Sequence, residues 1–366
     1  MRFKIAGGVG EHGRNSFLIE SENLNVLLDC GLMPCGDKPY PRLDREEIKR
    51  IKYLFLTHSH ADHTGAIGWL IENGFNGTVA ATEETLLQIG HDLKNVVRIQ
   101  DFRSTGDIRL RWGRTGHCMG SVWYLVEIQG RNIFYSGDYT ECSDVYETDL
   151  IRGIYADIAV LDSTYGPETR SDAEMKADFL DAAGRALCGS GRLLLPVPKY
   201  GRGQELLCML KDKYPGAAVY ADSKFISQME IMKNDRLWIK KEAAEILKGI
   251  NISGQLDTAK AASGLKEETS EYPEIYFISD PQLKYLKDAA FAEGIAELGG
   301  SIILTGTVDD GSGSSRLLKD GKAEFHRFPV HCTDRDRTRL ENKNYFKRVI
   351  PFHSSDSRVL SREIEL

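Results

Sequence analysis

Apolar residues along this chain fall into short runs separated by turn residues, and the rhythm of those runs changes near Tyr165. Before that point, residues 14–20, 24–31, 53–58, 77–82, 107–112, 121–128, 131–138 and 158–164 read as strands. Apolar spacing from Thr64 to about Asn73 predicts a helix. Paired strands with occasional helices predict a sandwich of sheets covered by helices. After Tyr165 the pattern alternates. Residues 171–187 have helical periodicity behind a Ser171-Asp172 start, 191–197 read as a buried strand, and 201–213 as a helix. Further strands are expected at 218–222, 273–279 and 301–307, with helices between them. Strands alternating with helices imply a parallel α/β unit with its own core. From Lys322 the chain returns to strand, helix, strand. We therefore expect one domain inserted into another: 1–168 and 329–366 form the host, and 169–328 the insert.

Length agrees with two domains, since 366 residues exceed what one hydrophobic core usually supports. The net charge of −7 excludes a protein that coats nucleic acid through dense basic surface. It leaves room for a nucleic-acid enzyme, because a local basic groove can hold phosphates on an acidic body. The seven cysteines are scattered and never spaced as C-x-x-C, which fits incidental thiols in a reducing compartment. The first residues lack the apolar core of a secretion signal, and no apolar stretch approaches the roughly 18 residues of a membrane span. A cytoplasmic protein without a membrane partner is expected.

Chemistry concentrates in Leu56-Thr57-His58-Ser59-His60-Ala61-Asp62-His63. Three imidazoles and a carboxylate at a strand-to-helix turn can converge on one point without a long loop. Neutral imidazole suits zinc, and a carboxylate can bind or orient a second ion.

The spacing His58-x-His60-x-Asp62-His63 resembles the signature of the metallo-β-lactamase superfamily, and other segments match that family in order. Asp29 sits where the family carries an aspartate at a strand end. His117, in Thr115-Gly116-His117-Cys118, resembles its third histidine motif, and Asp138, after Ser136-Gly137, resembles its bridging aspartate. A second layer of likeness is to the β-CASP branch, the nucleases that include RNase J and the cleavage-and-polyadenylation endonuclease. It rests on Asp162-Ser163-Thr164-Tyr165-Gly166, residues 192–207 with Gly201-Arg202-Gly203-Gln204-Glu205, Ile303 to Thr307 with Gly313 to Leu317, and the late histidines His331 and His353. Six of the nine histidines fall in these motifs, which scattered core histidines would not do.

The resemblance implies an α/β fold: a metallo-β-lactamase αββα sandwich with an inserted β-CASP α/β domain. It implies two Zn²⁺ ions, with Mn²⁺ the alternative. His58, His60 and His117 would hold one ion, Asp62, His63 and His353 the other, and Asp138 both. Asp29 would orient a ligand, and His331 with Asp162 would form an acid pair outside the metal shell. The implied activity is hydrolysis of phosphodiester bonds in single-stranded RNA, with endo- and 5′-exonuclease modes both open. The chain departs from the branch in three places. Pro329-Val330 precede His331 where the branch has Ser-Ala, Ser354-Ser355 follow His353 where it has Gly-Glu, and a proline near Gly68 is missing. A homodimer or a protein partner would then supply substrate range.

The same residues admit other readings. A small-ester or thioester hydrolase of this fold explains the metal motif but neither the 162–166 motif nor the insert. An Artemis-like DNA nuclease tends to carry valine at the position of His353. A non-catalytic partner subunit would have lost ligands that this chain keeps. Lys199, Arg202 and Arg316 lie beside glycines in the insert and are candidate phosphate contacts. From His326 to Arg348 seven basic residues face three acidic ones, which reads as a charged helix face or a substrate groove. His12, His91 and His326 are read as surface or structural.

Overall fold

Strands buried on both faces read as continuous apolar runs, because no face is left for water. Strands β2 (Ser16–Glu20) and β3 (Asn25–Leu28) are of this kind, every residue being buried. They sit between a second sheet and a layer of helices. The computed structural model describes residues 1–22, 24–33, 38–90, 93–104, 108–261, 272–354 and 361–366. Cys35 and His91 lie outside the described residues. The chain divides into two compact units: Met1–Glu141 with Thr148–Thr169 and His331–Leu366, and Cys142–Glu147 with Arg170–Val330.

In the first unit, one seven-stranded sheet runs in the order Glu363–Glu365, β1 (Arg2–Gly7), β2, β3, β4 (Ile51–Phe55), β5 (Thr78–Ala81) and β6 (Val96–Arg98). A five-stranded sheet runs Val349–Phe352, Ile158–Asp162, β9 (Arg131–Tyr135), β8 (Val122–Ile128) and β7 (Ile108–Arg114). Aromatic rings lock the sheets face to face: Phe17 lies 5.1 Å from Tyr135 and 5.8 Å from Phe352, and Phe55 lies 5.6 Å from Tyr124. On the outer face of the first sheet, Ile48, Ile67 and Leu70 of two helices bury Leu18, Leu27 and Leu54. On the outer face of the second, Leu340 of the helix Asp334–Asn342 packs with Phe134, Ala159 and Leu161. The result is the αββα sandwich.

The helix expected from Thr64 to Asn73 is two helices, Ala61–Thr64 and Ile67–Glu72. The cause is a competing backbone ladder. The Cys30 amide donates to the His63 carbonyl at 2.8 Å, and the Ala66 amide donates to the Cys30 carbonyl at 3.0 Å. The helix gives up its own hydrogen bonds to pin the histidine-rich turn to the end of β3. Strand β1 and the helices Arg45–Arg50 and Glu83–Ile89 had no counterpart in the sequence reading. Both helices carried a signal: Asp44 and Glu47 form a capping box, and Thr82 caps the other.

The second unit holds a six-stranded, all-parallel sheet in the order 254–255, 218–221, 274–278, 192–196, 301–304 and 324–325. Leu194, Ile278, Phe291, Ile302 and Leu304 lie in its core. The segment Cys142–Glu147, placed in the host by the sequence reading, belongs to this unit. Glu205 holds it, accepting from the Ser143 hydroxyl at 2.7 Å. Burial pushes the Glu205 carboxyl up to about 7, against the opposing pull of Ser143 and Lys176. A folded-state pKa above the unfolded value makes the protonated form the better folded one, so stability is lost as pH rises through the interval from about 4.5 to 7. We expect thermal unfolding of Glu205→Gln to lack that decline, and a decline of equal size in the variant would refute the assignment.

Candidate metal centre

Every donor of the centre lies just beyond a strand end on one edge of the sandwich. Asp29 follows β3, His58 to His63 follow β4, His117 follows β7, and Asp138 follows β9. Asp162 ends the strand Ile158–Asp162, and His353 follows Val349–Phe352. Parallel pairing of β9 with 158–162, and of 158–162 with 349–352, aims those three exits the same way. All belong to the first unit.

Three overlapping donor groups form there, one of them Asp138, Asp162, His331 and His353. The ligand atoms of His58, His60, His117 and Asp138 lie within 4.8 Å of one another, as do those of Asp62, His63 and His353. In the first group, His58 Nε2 and His117 Nε2 lie 3.1 and 3.2 Å from His60 Nδ1, and each is 3.4 Å from Asp138 Oδ2. In the second, His353 Nε2 is 2.9 Å and His63 Nε2 3.6 Å from Asp62 Oδ2. The other Asp138 oxygen faces this group, 3.2 Å from His63 Nε2 and 3.4 Å from His353 Nδ1. That buried Oδ1 accepts no hydrogen bond among the described residues. Buried ring nitrogens crowded around an unpartnered carboxylate oxygen fit divalent cations, and the imidazole-rich donor set suits zinc.

The electrostatics separate the groups. Burial holds His58 and His117 below the usual histidine pKa, His117 well below, so both rings stay neutral. Burial also opposes charge on His63 and His353, but Asp138 and Asp62 outweigh it. His63 is held well above its usual value, and His353 is pushed up to about 10. In turn, His63 and His353 pull the Asp62 and Asp138 carboxyls far below the carboxylate range despite burial.

Asp29, fully buried, braces the second group. His63 Nδ1 donates to its Oδ2 at 2.6 Å, the Tyr135 hydroxyl donates at 2.7 Å, and the Thr57 amide and hydroxyl donate at 2.7 and 2.8 Å. Its φ of +57° places it in the left-handed region, which aspartate tolerates better than most residues. His353, at φ +63°, lies in the same region, and its amide donates to the Gly8 carbonyl at 2.6 Å. Gly31 is required at the strand exit, because a Cβ there would meet the Asp62 carbonyl oxygen at 1.7 Å. Orienting contacts of this kind typically matter about 10–100-fold in metal affinity. Asp29→Ala should therefore weaken metal binding by that factor in a competition titration with a chelating dye, and unchanged affinity would exclude the bracing role.

His331 stands beside this centre. Its Nδ1 lies 3.0 Å from Asp162 Oδ2 and 3.8 Å from Asp138 Oδ2. Asp162 is fully buried and accepts from the Tyr139 amide at 3.0 Å, the Thr164 amide at 3.0 Å and the Thr164 hydroxyl at 2.6 Å. Two further contacts were not foreseen from sequence. Asn15 Nδ2 reaches His63 Nε2 at 2.9 Å, and Thr164 Oγ1 reaches His353 Nδ1 at 2.9 Å. Thr164 had a signal, its place two residues after Asp162. Asn15, in a glycine-rich segment, had none.

The other candidates lie elsewhere. In the second unit, Arg202 Nη1 donates to the Thr305 carbonyl at 2.8 Å and packs where a Cβ on Gly306 would sit. Lys199 lies over the Tyr200 ring at 4.6 Å, and Arg316 is exposed. In the first unit, Arg337 and Arg339 pair with acids of their own helix, as a charged helix face does. His12 lies 5.6 Å from the His353 ring, and His326 is held between Asp178 and Glu324.

Residues 9–180 match the profile described as the Metallo-beta-lactamase superfamily. The chain thus carries a metallo-β-lactamase domain and has that fold. The chain is 28% identical over 251 residues to "Endoribonuclease ysh1" of Aspergillus fumigatus, covering 58% of this chain and 29% of the relative. It is 28% identical over 246 residues to "Cleavage and polyadenylation specificity factor 73" of Drosophila melanogaster, covering 58% and 36%. It is 30% identical over 266 residues to "Transcription termination factor FttA" of Methanocaldococcus jannaschii, covering 61% and 42%. The match thus spans well under half the length of each of these relatives. Among solved structures, a protein of unknown function from Enterococcus faecalis superimposes with a TM-score of 0.65 at 12% identity, covering 100% of this chain and 99% of that one. At that identity the likeness shows the fold alone. No helix among the described residues is long and apolar enough to cross a membrane.

Proposed function

We propose that the protein is a metal-dependent ribonuclease that hydrolyses phosphodiester bonds of single-stranded RNA at a dinuclear zinc centre. The observation that carries the reading is Asp138, whose two oxygens face two separate donor groups. Such a carboxylate suits a pair of ions. His58, His60 and His117 would hold one, and Asp62, His63 and His353 the other. When bound, a pair of divalent ions activates water and neutralises charge on a phosphate. Two curated relatives bear the name endoribonuclease or cleavage factor, which supports RNA as the substrate class.

The remaining work falls to the chain's own residues. Expelling a ribose alkoxide needs a proton as the bond breaks. His331 would deliver it from Nε2, while Asp162 fixes the ring through Nδ1. Asp29 would keep His63 in register. Of the three candidate phosphate contacts, Arg316 is the exposed one and Arg202 has a structural carbonyl partner.

The deciding experiment incubates purified protein with end-labelled single-stranded RNA and DNA of one sequence, with and without chelator. Elemental analysis of the same preparation counts the metal. Chelator-sensitive cleavage of RNA, far faster than of DNA, is expected from a protein carrying about two zinc ions. Equal rates would assign the protein to DNA, and cleavage by metal-free protein would refute the centre.

A further inference from the structure

The loop between β1 and β2, residues 8–15, runs along the same edge as the metal donors. Both β1 and β3 are antiparallel to β2, so they end on one side of the sheet. The loop touches Asp62, His63 and His353, the whole of the second ion site. Its Gly8 carbonyl accepts from the His353 amide, and its Asn15 amide donates to the Asp62 carbonyl at 2.9 Å. Asn15 Nδ2 lies 2.9 Å from His63 Nε2 and 3.4 Å from Asp62 Oδ2. The first ion site leans on other neighbours. His58 Nδ1 lies 3.1 Å from the Thr57 hydroxyl, and the turn after His117 is closed by Ser121, which donates to the Cys118 carbonyl at 2.7 Å.

The two ends of the loop close tightly on each other. A Cβ on Gly7 would meet the Arg14 carbonyl oxygen at 2.0 Å, and one on Gly8 would meet Asn15 Oδ1 at 2.4 Å. Arg14 itself has φ +42°, a conformation uncommon outside glycine, asparagine, aspartate and histidine. Strain of that kind persists only where the surroundings over-determine it. Here one largely buried carboxylate does so. Glu11 accepts from Arg14 Nε and Nη2 at 2.9 and 2.7 Å, from Arg42 Nη1 and Nη2 at 2.8 and 2.7 Å, and from the Gly8 amide at 3.2 Å. Two guanidinium forks thus close on a single acid, the strong form of a charge-assisted contact. Arg42 is tied to β1 in turn, its amide donating to the Ala6 carbonyl at 2.9 Å, and Arg14 Nη1 donates to the Lys38 carbonyl. Against burial, Arg42 and Arg14 hold the Glu11 carboxyl down to about 2. Arg362 belongs to the same cluster: burial and the charge of Arg42 lower its guanidinium, against the pull of Glu11. Three arginines lean on one acid.

We propose that Glu11 is a positioning residue for the second ion site, clasping Arg14 and Arg42 so that the loop holds Asp62, His63 and His353 in place. Loss of its charge would leave guanidinium groups facing one another in a partly buried setting, which is costly. The loop would relax from Arg14, and Asn15, next in the chain, would move with it. The inference rests on the two-ion reading above, and it expects damage to one ion site and not to both.

The test titrates metal-free protein with zinc against chelating dyes of graded affinity, which separates the two binding steps. His60→Ala and His353→Ala assign the steps, each removing that of its own site. In Glu11→Gln the second-site step should weaken by about 10–100-fold, the range usual for contacts that orient ligands, with the first-site step within about twofold of the parent. Arg42→Gln should show the same pattern more weakly. The double variant should be no worse than Glu11→Gln alone, because residues that act through one contact are not additive. Equal weakening of both steps would make Glu11 a residue of general structure and overturn the proposal, as would parent affinities in Glu11→Gln. If circular dichroism shows Glu11→Gln unfolded, Arg42→Gln decides on the same criterion. A parent that binds two ions, with both steps unmoved in the variants, refutes this inference alone. A parent that binds none refutes the two-ion reading with it.

Discussion

His60→Ala is expected to purify with less than its full metal complement and to lose RNA cleavage by roughly 10³ or more, the scale on which removal of a key electrostatic element is felt. His60 Nδ1 lies between the Nε2 atoms of His58 and His117, so its loss opens the first donor group from the middle. Metal loading of the parent protein should also depend on pH. His63 and His353 carry protons at neutral pH in metal-free protein, because the carboxylates around them hold their pKa values high. A cation entering the second group must displace those protons, so apparent affinity falls as pH falls, with about two protons released per protein. His58 and His117 are already neutral and add nothing to that count. Potentiometric titration during zinc addition measures the release, and a value near zero would show that these rings carry no protons for the metal to displace. The activity and loading effects should move together in His60→Ala. Full activity with metal missing would sink the centre as described.

His331→Ala should behave differently. It is expected to retain both metals and to slow RNA cleavage by about 10²–10⁴, the usual contribution of a positioned general acid. Hydrolysis of bis(4-nitrophenyl) phosphate should change little, because nitrophenolate leaves without a proton. The geometry allows this separation. His331 Nδ1 is nearer to Asp162 Oδ2, at 3.0 Å, than to Asp138 Oδ2, at 3.8 Å. Asp162→Asn should reproduce most of the defect, since the ring would lose the carboxylate that orients it. Elemental analysis of His331→Ala decides the alternative. Loss of metal, or equal loss on both substrates, would make His331 a ligand and not an acid.

Much of this was legible in sequence, for a physical reason. Strands buried on both faces write themselves as apolar runs, and the donors follow immediately because the centre is built at strand exits. The turn from His58 to His63 could be read from spacing alone. Asp29, His117 and Asp138 needed the family likeness, for each is a lone residue whose partners lie far off in the chain. Asn15 and the break at Gly65 were invisible. Both depend on backbone groups of β3 and its exit meeting a turn more than thirty residues away. Strand β1 was missed because its alternating residues lead into a glycine-rich segment that masks the pattern. The segment Cys142–Glu147 was misplaced because its anchors, Glu205 and Gly201 among them, come some sixty residues later.

The strand Val349–Phe352 pairs with Ile158–Asp162 across almost the whole second unit. During synthesis, the ribosome therefore releases His58, His60, His63 and His117 long before His331 and His353. The centre remains half-built until His353 emerges. Closing so long a loop carries an entropy cost that grows only slowly with length, about (3/2)RT ln n, and prior folding of the second unit shortens the loop that must close. A nascent chain halted at residue 330 would hold the first donor group but lack the second unit's successor strand, and so could gather at most one complete ion site. Catalytic competence would thus wait on the emergence of His331 and His353.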